Sequence, residues 1–110
     1  MIVRAWRGYA SAAGPEAYPK HLLESVRPKL ERLAGFRGLS LLRRHIGTEI
    51  EYLVLTHWES MQAICAFAGD DPDRAVVEPE ARAVLVRFDD RVTHYEVLAA
   101  TEVQMAGERR

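Results

Sequence analysis

Between Leu53 and Ile64 the chain changes from a strand pattern to a helix pattern within one residue, and that junction limits what the rest can form. Residues 52–58 are aliphatic, β-branched or aromatic. In a strand Tyr52, Val54 and Trp58 fall on one side and Leu53 and Leu55 on the other, so both faces are apolar. Ser60 carries a hydroxyl that can accept a backbone N–H, and Met61, Ile64, Cys65 and Ala68 follow at helical spacing, so a helix starts there. A strand apolar on both sides needs cover on both. Helices can supply one cover; a second copy of the chain is the simplest source of the other.

The remaining pattern is consistent with that sheet. Ile2 to Tyr9 reads as a first strand, closed by small residues from Ala10 to Gly14, and Pro15 stands where a first helical residue is well placed. Tyr18, Leu22, Val26, Leu30 and Leu33 form one apolar helical stripe. Pro28 lacks a backbone donor and crowds the carbonyl of Glu24, which predicts a kink or two abutting helices. Gly35 ends the helix, with Phe36 placed to fold back on Leu30. A second strand at about Leu39 to His45 turns through Gly47-Thr48 into the third, giving a hairpin. Gly69-Asp70-Asp71-Pro72 is a turn, and Val76-Val77 can pin a short segment to the core. Residues 79–88 fit a short helix begun by Pro79 and Glu80, the reading taken here, but Val84, Val86 and Phe88 also alternate as in a strand. Val92 to Leu98 reads as the last strand. The domain thus spans residues 1–98, and 99–110 form a tail without periodicity.

Strand, helix, strand, strand, helix, strand is the ferredoxin-like βαββαβ order, an α+β fold with an antiparallel sheet and helices on one face. A chain of 110 residues with 48% hydrophobic content has room for one domain and one core. Its formal net charge of −1 provides no electrostatic case for nucleic acid or a membrane surface as partner. Cys65 is the one cysteine, which excludes an internal disulfide and a cysteine-based zinc site, and its place beside Ile64 reads as core. The first residues lack the apolar stretch of a signal peptide, and no window suits a membrane span, so a soluble cytoplasmic protein is expected.

The run Leu55-Thr56-His57-Trp58-Glu59-Ser60 followed by Ala63-Ile64, the earlier Gly35-Phe36-Arg37-Gly38, and the closing Thr93-His94-Tyr95-Glu96-Val97 resemble the antibiotic-biosynthesis-monooxygenase family of dimeric α+β barrels. The resemblance covers residues 1 to about 98. It implies a homodimer whose sheets face each other, with a pocket in each subunit between sheet and helices. It also implies one of several chemistries: cofactor-free oxygenation of polyketide-derived phenols, haem degradation, or no assigned reaction. The haem-degrading branch uses an asparagine on the first strand, a tryptophan late in the second helix and a histidine beyond it. This chain has no asparagine, carries Phe67 at the place of that tryptophan, and has no histidine between His57 and His94. Haem degradation by that constellation is therefore disfavoured, and the phenol-oxidising mechanism, also expected to use an asparagine, would need substitutes.

His94 lies mid-strand, and an imidazole there could take a proton from a phenol or carbon acid; alternatively it is a structural histidine on a backbone carbonyl. His57 could share the face of Leu53 and Leu55 or point outward, and His21 and His45 read as surface residues. No two histidines have ligand spacing, so no metal is expected. Trp6 and Trp58, on neighbouring strands, could line an aromatic pocket or pack as core. Arg4 and Arg7 fall on opposite faces of the first strand, so one points inward and needs a carboxylate, for which Glu96 is available, or an anionic ligand. The resulting expectation is a monooxygenase-like protein without a bound cofactor, acting on an aromatic or polyketide-like molecule. Trp6, Trp58 and Phe67 would contact the ligand, Arg7 would orient an enolate or phenolate, and His94 would exchange the proton. A non-catalytic ligand-binding or stress-associated dimer is the alternative.

Overall fold

The computed structural model describes residues 1–101. Strand β1 (Ile2–Ser11) leads to a helical segment made of α1 (Ala17–His21), a π-helical turn (Leu22–Val26) and α2 (Arg27–Glu31). The interruption is the one Pro28 demands. The wider turn lets the Arg27 N–H reach the Leu22 carbonyl five residues back, and so seats a proline at the start of α2. Tyr18, Leu22 and Leu30 are buried along one stripe, with Val26 half-buried, while Leu33 lies past the last turn and is exposed.

Strands β2 (Phe36–Ile46) and β3 (Glu49–Trp58) form the hairpin, and helix α3 (Met61–Ala68) begins where the Ser60 hydroxyl accepts the Ala63 N–H. Its buried side differs from the sequence expectation. Ile64 is buried with Ala63, Phe67 and Ala68 packed beside it, whereas Met61 and Cys65 are exposed, so Cys65 is not a core residue. In the ambiguous stretch 79–88 the first residues are helix α4 (Pro79–Val84) and the last are the short strand β4 (Arg87–Phe88), and a second short strand, β5 (Thr93–Glu96), follows. Both pair with the same edge of β1, antiparallel, β4 at Gly8–Tyr9 and β5 at Ile2–Ala5. They are one fourth strand broken by residues 89–92, where the Ala75 and Val92 N–H groups bond Asp90 and Asp73 and dock the loop after α3.

The order β2-β3-β1 with β4 and β5 on the far edge is the ferredoxin-like sheet. Even-numbered residues of β1 and β3 face the helices, and Ile50, Tyr52, Val54 and Trp58 are buried there. The opposite face carries Val3, Leu53 and Leu55 half-buried, with Leu42 and Tyr95 47% and 58% exposed. Among the described residues no helix is long and apolar enough to cross a membrane. Residues 99–101 have no regular structure, and the rest of the expected tail lies outside the described residues.

Candidate functional site

Between sheet and helices lies a cavity of about 100 Å³. Trp6 and Val54 form its floor, Tyr18, Leu22 and Leu30 its roof, and Phe67 of α3 one side. Gly8 makes the floor possible, because a Cβ there would come within 2.8 Å of the Trp6 ring that lies across it. The Trp6 Nε1–H donates to the Asp89 carbonyl at 2.7 Å, which fixes the indole against the break in the fourth strand. Burial, with Tyr52 close by, holds the Tyr18 phenol well above its ordinary pKa, so it stays a neutral O–H in this wall.

Two polar groups interrupt the apolar lining. The first is Arg4, on the helix-facing side of β1 and 5% exposed. Its Nη1 donates to the Pro72 carbonyl and to His94 Nε2 (3.0 Å), and its Nη2 to the Arg74 carbonyl at 2.8 Å. Since a guanidinium only donates, His94 Nε2 must accept, which leaves the proton on Nδ1, 3.1 Å from Asp73 Oδ1. Burial and the Arg4 charge push the His94 pKa down, against the opposing pull of Asp73, so the ring is held neutral. The guanidinium also lies over Phe67, 5.7 Å from the ring centre. Three of its five N–H groups are engaged by these bonds, and among the described residues no carboxylate touches it. Desolvation works against its charge more than Asp73 supports it. A buried cation with donors to spare is a place for an oxygen anion.

The second is the pair His21 and Glu78, from α1 and the residue before α4. The His21 side chain is only 10% exposed, and its Nε2 lies 3.5 Å from Glu78 Oε1. That contact lacks hydrogen-bond geometry, and among the described residues Nε2 is a buried nitrogen without a partner. Glu78 Oε2 is held by Lys29 Nζ at 3.0 Å, which leaves Oε1 toward the imidazole.

The expected site residues are only partly brought together. Trp6 and Phe67 line the cavity. Trp58 does not: it is fully buried behind Phe67, stacked at 5.4 Å between centroids, with its Nε1–H on Thr56 Oγ1 at 2.9 Å. In the register Trp58 opposes Ile2 while Trp6 opposes Val54, so the two positions are offset by four residues, about 13 Å of backbone along the strands. Arg7 points to the other face, beside Glu51 at 3.9 Å, and the inward arginine is Arg4. Glu96, the internal partner considered for it, is exposed; backbone carbonyls and His94 take that place. His94 reaches the cavity only through Arg4, its lone pair already occupied. His57 is half-buried on the open face and His45 is exposed at the hairpin. His21, read as a surface residue, is the histidine in the wall; its place at i+3 from buried Tyr18 was the available signal.

A small ferredoxin-like domain with an aromatic, water-poor cavity between sheet and helices, and one buried arginine in its wall, is the class this geometry defines. The family model for antibiotic biosynthesis monooxygenase matches residues 2–79, and the chain belongs to that family. A comparison with curated proteins finds no match. Among solved structures, the chain is similar to a Bacillus cereus protein provisionally named an antibiotic biosynthesis monooxygenase (17% identity, 96% of this chain and 98% of that one, TM-score 0.66). It is also similar to MhuD, a heme-degrader of Mycobacterium tuberculosis with two hemes bound in its active site (26% identity, 93% and 100% covered, TM-score 0.59). A third is SnoaB, a cofactor-independent oxygenase of Streptomyces nogalater (15% identity, 97% and 98% covered, TM-score 0.59).

Proposed function

We propose that this chain is a cofactor-independent oxygenase that acts on an aromatic, phenol-type small molecule held between Trp6 and Phe67, with the developing oxygen anion against Arg4. The observation that carries the reading is Arg4, a buried charge with unused donors and, among the described residues, no carboxylate against it, in a cavity lined by aromatic and aliphatic side chains. Fixed donors in a water-poor site stabilise an anion without reorganising as charge develops. A phenolate so held can reduce oxygen directly. One oxygen atom forms a C–O bond at a ring carbon that bears hydrogen, ortho or para to the phenolate oxygen, and the O–O bond then breaks. The second atom leaves as water with the ring hydrogen and the phenolic proton, giving a quinone. In this reading Arg4 takes the role first given to Arg7, and His94 is a positioning residue whose Nε2 orients the guanidinium.

The heme of MhuD fits this chain poorly. A cavity of about 100 Å³ suits a single ring better than a porphyrin, and no asparagine is available. The working unit proposed is a homodimer closed over the open sheet face, supported by the exposed apolar side chains of Leu42 and Tyr95. Sedimentation at the mass of one chain would remove it.

The direct test is oxygen uptake with a panel of mono- and bicyclic phenols, followed by quinone absorbance. Wild-type protein should consume one oxygen per quinone, and Arg4→Leu should lose that turnover while still binding apolar aromatics. Binding without oxygen uptake across the panel would leave the non-catalytic ligand-binding dimer as the function.

A further inference from the structure

We infer that His21 and Glu78 form a second polar pole of the cavity, which binds the hydroxyl of a single-ring aromatic ligand and takes its proton. The inference rests on the oxygenase reading above and extends it to the proton acceptor and the substrate class. A buried nitrogen left without a hydrogen-bond partner is costly, so its persistence calls for a reason. Here the reason is at hand: His21 and Glu78 both line the cavity, and the 3.5 Å between Nε2 and Oε1 is occupied by no hydrogen bond. A ligand hydroxyl placed between them supplies the missing bond to each. Lys29 holds the other carboxylate oxygen, so Glu78 cannot easily turn away.

The chemistry is a proton transfer. The ligand O–H bond breaks, its electron pair stays on the phenolic oxygen, and the proton ends on the imidazole–carboxylate pair. The groups facing this pair are Lys29 on Glu78 and the neutral Tyr18 ring, 6.5 Å from the imidazole between centroids. Neither is an alternative acceptor. With deprotonation at this pole and Arg4 at the other, the preferred ligand carries a hydroxyl and a second oxygen-bearing substituent into which the negative charge can delocalise. The cavity volume of about 100 Å³ limits the enclosed part to one ring.

4-Nitrophenol has this shape, and its anion absorbs visibly. The probe is added to the full chain at a pH below the probe's own pKa, with binding read by Trp6 quenching and ionisation by the anion band. Wild type should bind it largely as the anion. His21→Leu should lose the anion band and bind roughly tenfold more weakly, as the loss of a charge-assisted hydrogen bond implies. Glu78→Gln should reduce the band, and nitrobenzene should bind all three alike. If His21→Leu misfolds by circular dichroism, His21→Gln and Glu78→Gln decide the matter by the same band. Retention of the wild-type anion band in folded variants would overturn the inference and leave the oxygenase reading intact. Failure of wild type to bind either probe would overturn both.

Discussion

Replacing Gly35 with Ala should be the most damaging single-methyl change in this chain. Gly35 follows the first helical segment at φ +85°, a conformation that costs a side chain about 1–2 kcal/mol. A Cβ added there would lie 2.5 Å from the Ala63 Cβ, inside any tolerated contact. The neighbour is on the first turn of α3, where the Ser60 cap and the Gly35 carbonyl, bonded by the Glu59 N–H at 2.8 Å, fix the backbone, so relief requires moving the helix. Overpacking of this kind costs about 1–3 kcal/mol. Against these, alanine restricts the unfolded chain and returns about 0.4–1 kcal/mol. The balance is a loss of roughly 2–4 kcal/mol, on the order of 10–20 °C in Tm for a domain of this size. Urea unfolding at one protein concentration measures it, since the proposed dimer would make the midpoint concentration-dependent. The double variant Gly35→Ala/Ala63→Gly separates the two causes. It should recover the clash and retain the backbone term, giving a coupling of at least about 1 kcal/mol in a double-mutant cycle. An additive cycle, or a Gly35→Ala midpoint within error of wild type, would show that the contact does not constrain the Gly35–α3 corner.

Two further outcomes concern the site. His94 has a folded pKa below the ordinary imidazole value of about 6.5. The unfolded chain therefore binds the extra proton first, and stability falls as pH drops from about 6.5 to the folded value and is level below it. His94→Gln, whose amide oxygen can still accept from Arg4, should flatten that window in Tm measurements between neutral and mildly acidic pH; an unchanged slope would place the titration elsewhere. Gly8→Ala should lower the urea midpoint, because the Trp6 ring, 2.8 Å from the added Cβ, must shift against its bond to Asp89, and it should weaken binding of nitrobenzene severalfold as the indole lifts into the cavity. Unaltered affinity would mean that the floor is not where the ligand rests.

How much was legible depended on whether a residue's neighbours in sequence were also its neighbours in space. The Ser60 start of α3, the break before Pro28 and the hairpin at Gly47 are local, and each stood out from a few adjacent residues. The two-sided strand at 52–58 also held, since alternation alone separates Tyr52, Val54 and Trp58 from Leu53 and Leu55. On β1 the expectation departed from alternation. With Trp6 at the ligand, period two puts Arg4 on the same face and Arg7, next to Trp6, on the other. The pairing of Arg4 with Thr56 and of Trp6 with Val54 agrees with that alternation. Trp58 and Trp6 share a face but not a wall, because the four-residue offset in register cannot be read from either strand alone. His21 was missed for a different reason. Its burial is created by Glu78, 57 positions away, on a segment with no regular structure.

The arginine on that face also explains the loop after α3. The Pro72 and Arg74 carbonyls turn inward, where carbonyl groups without donors would be costly, and among the described residues the donor that reaches both is the Arg4 guanidinium. Asp73 between them accepts from His94, whose other nitrogen is bonded to the same guanidinium. One side chain thus organises three consecutive residues of a loop that apolar packing alone would leave loose. A hydrophobic isostere could fill the same volume and remove the cost of burying a charge, but it would release both carbonyls and the imidazole at once. The arrangement is therefore a poor way to gain stability and a good way to hold a cation rigidly in an apolar wall. Rigidity is what an anion-stabilising group needs, because donors already in place when charge develops contribute without reorganising.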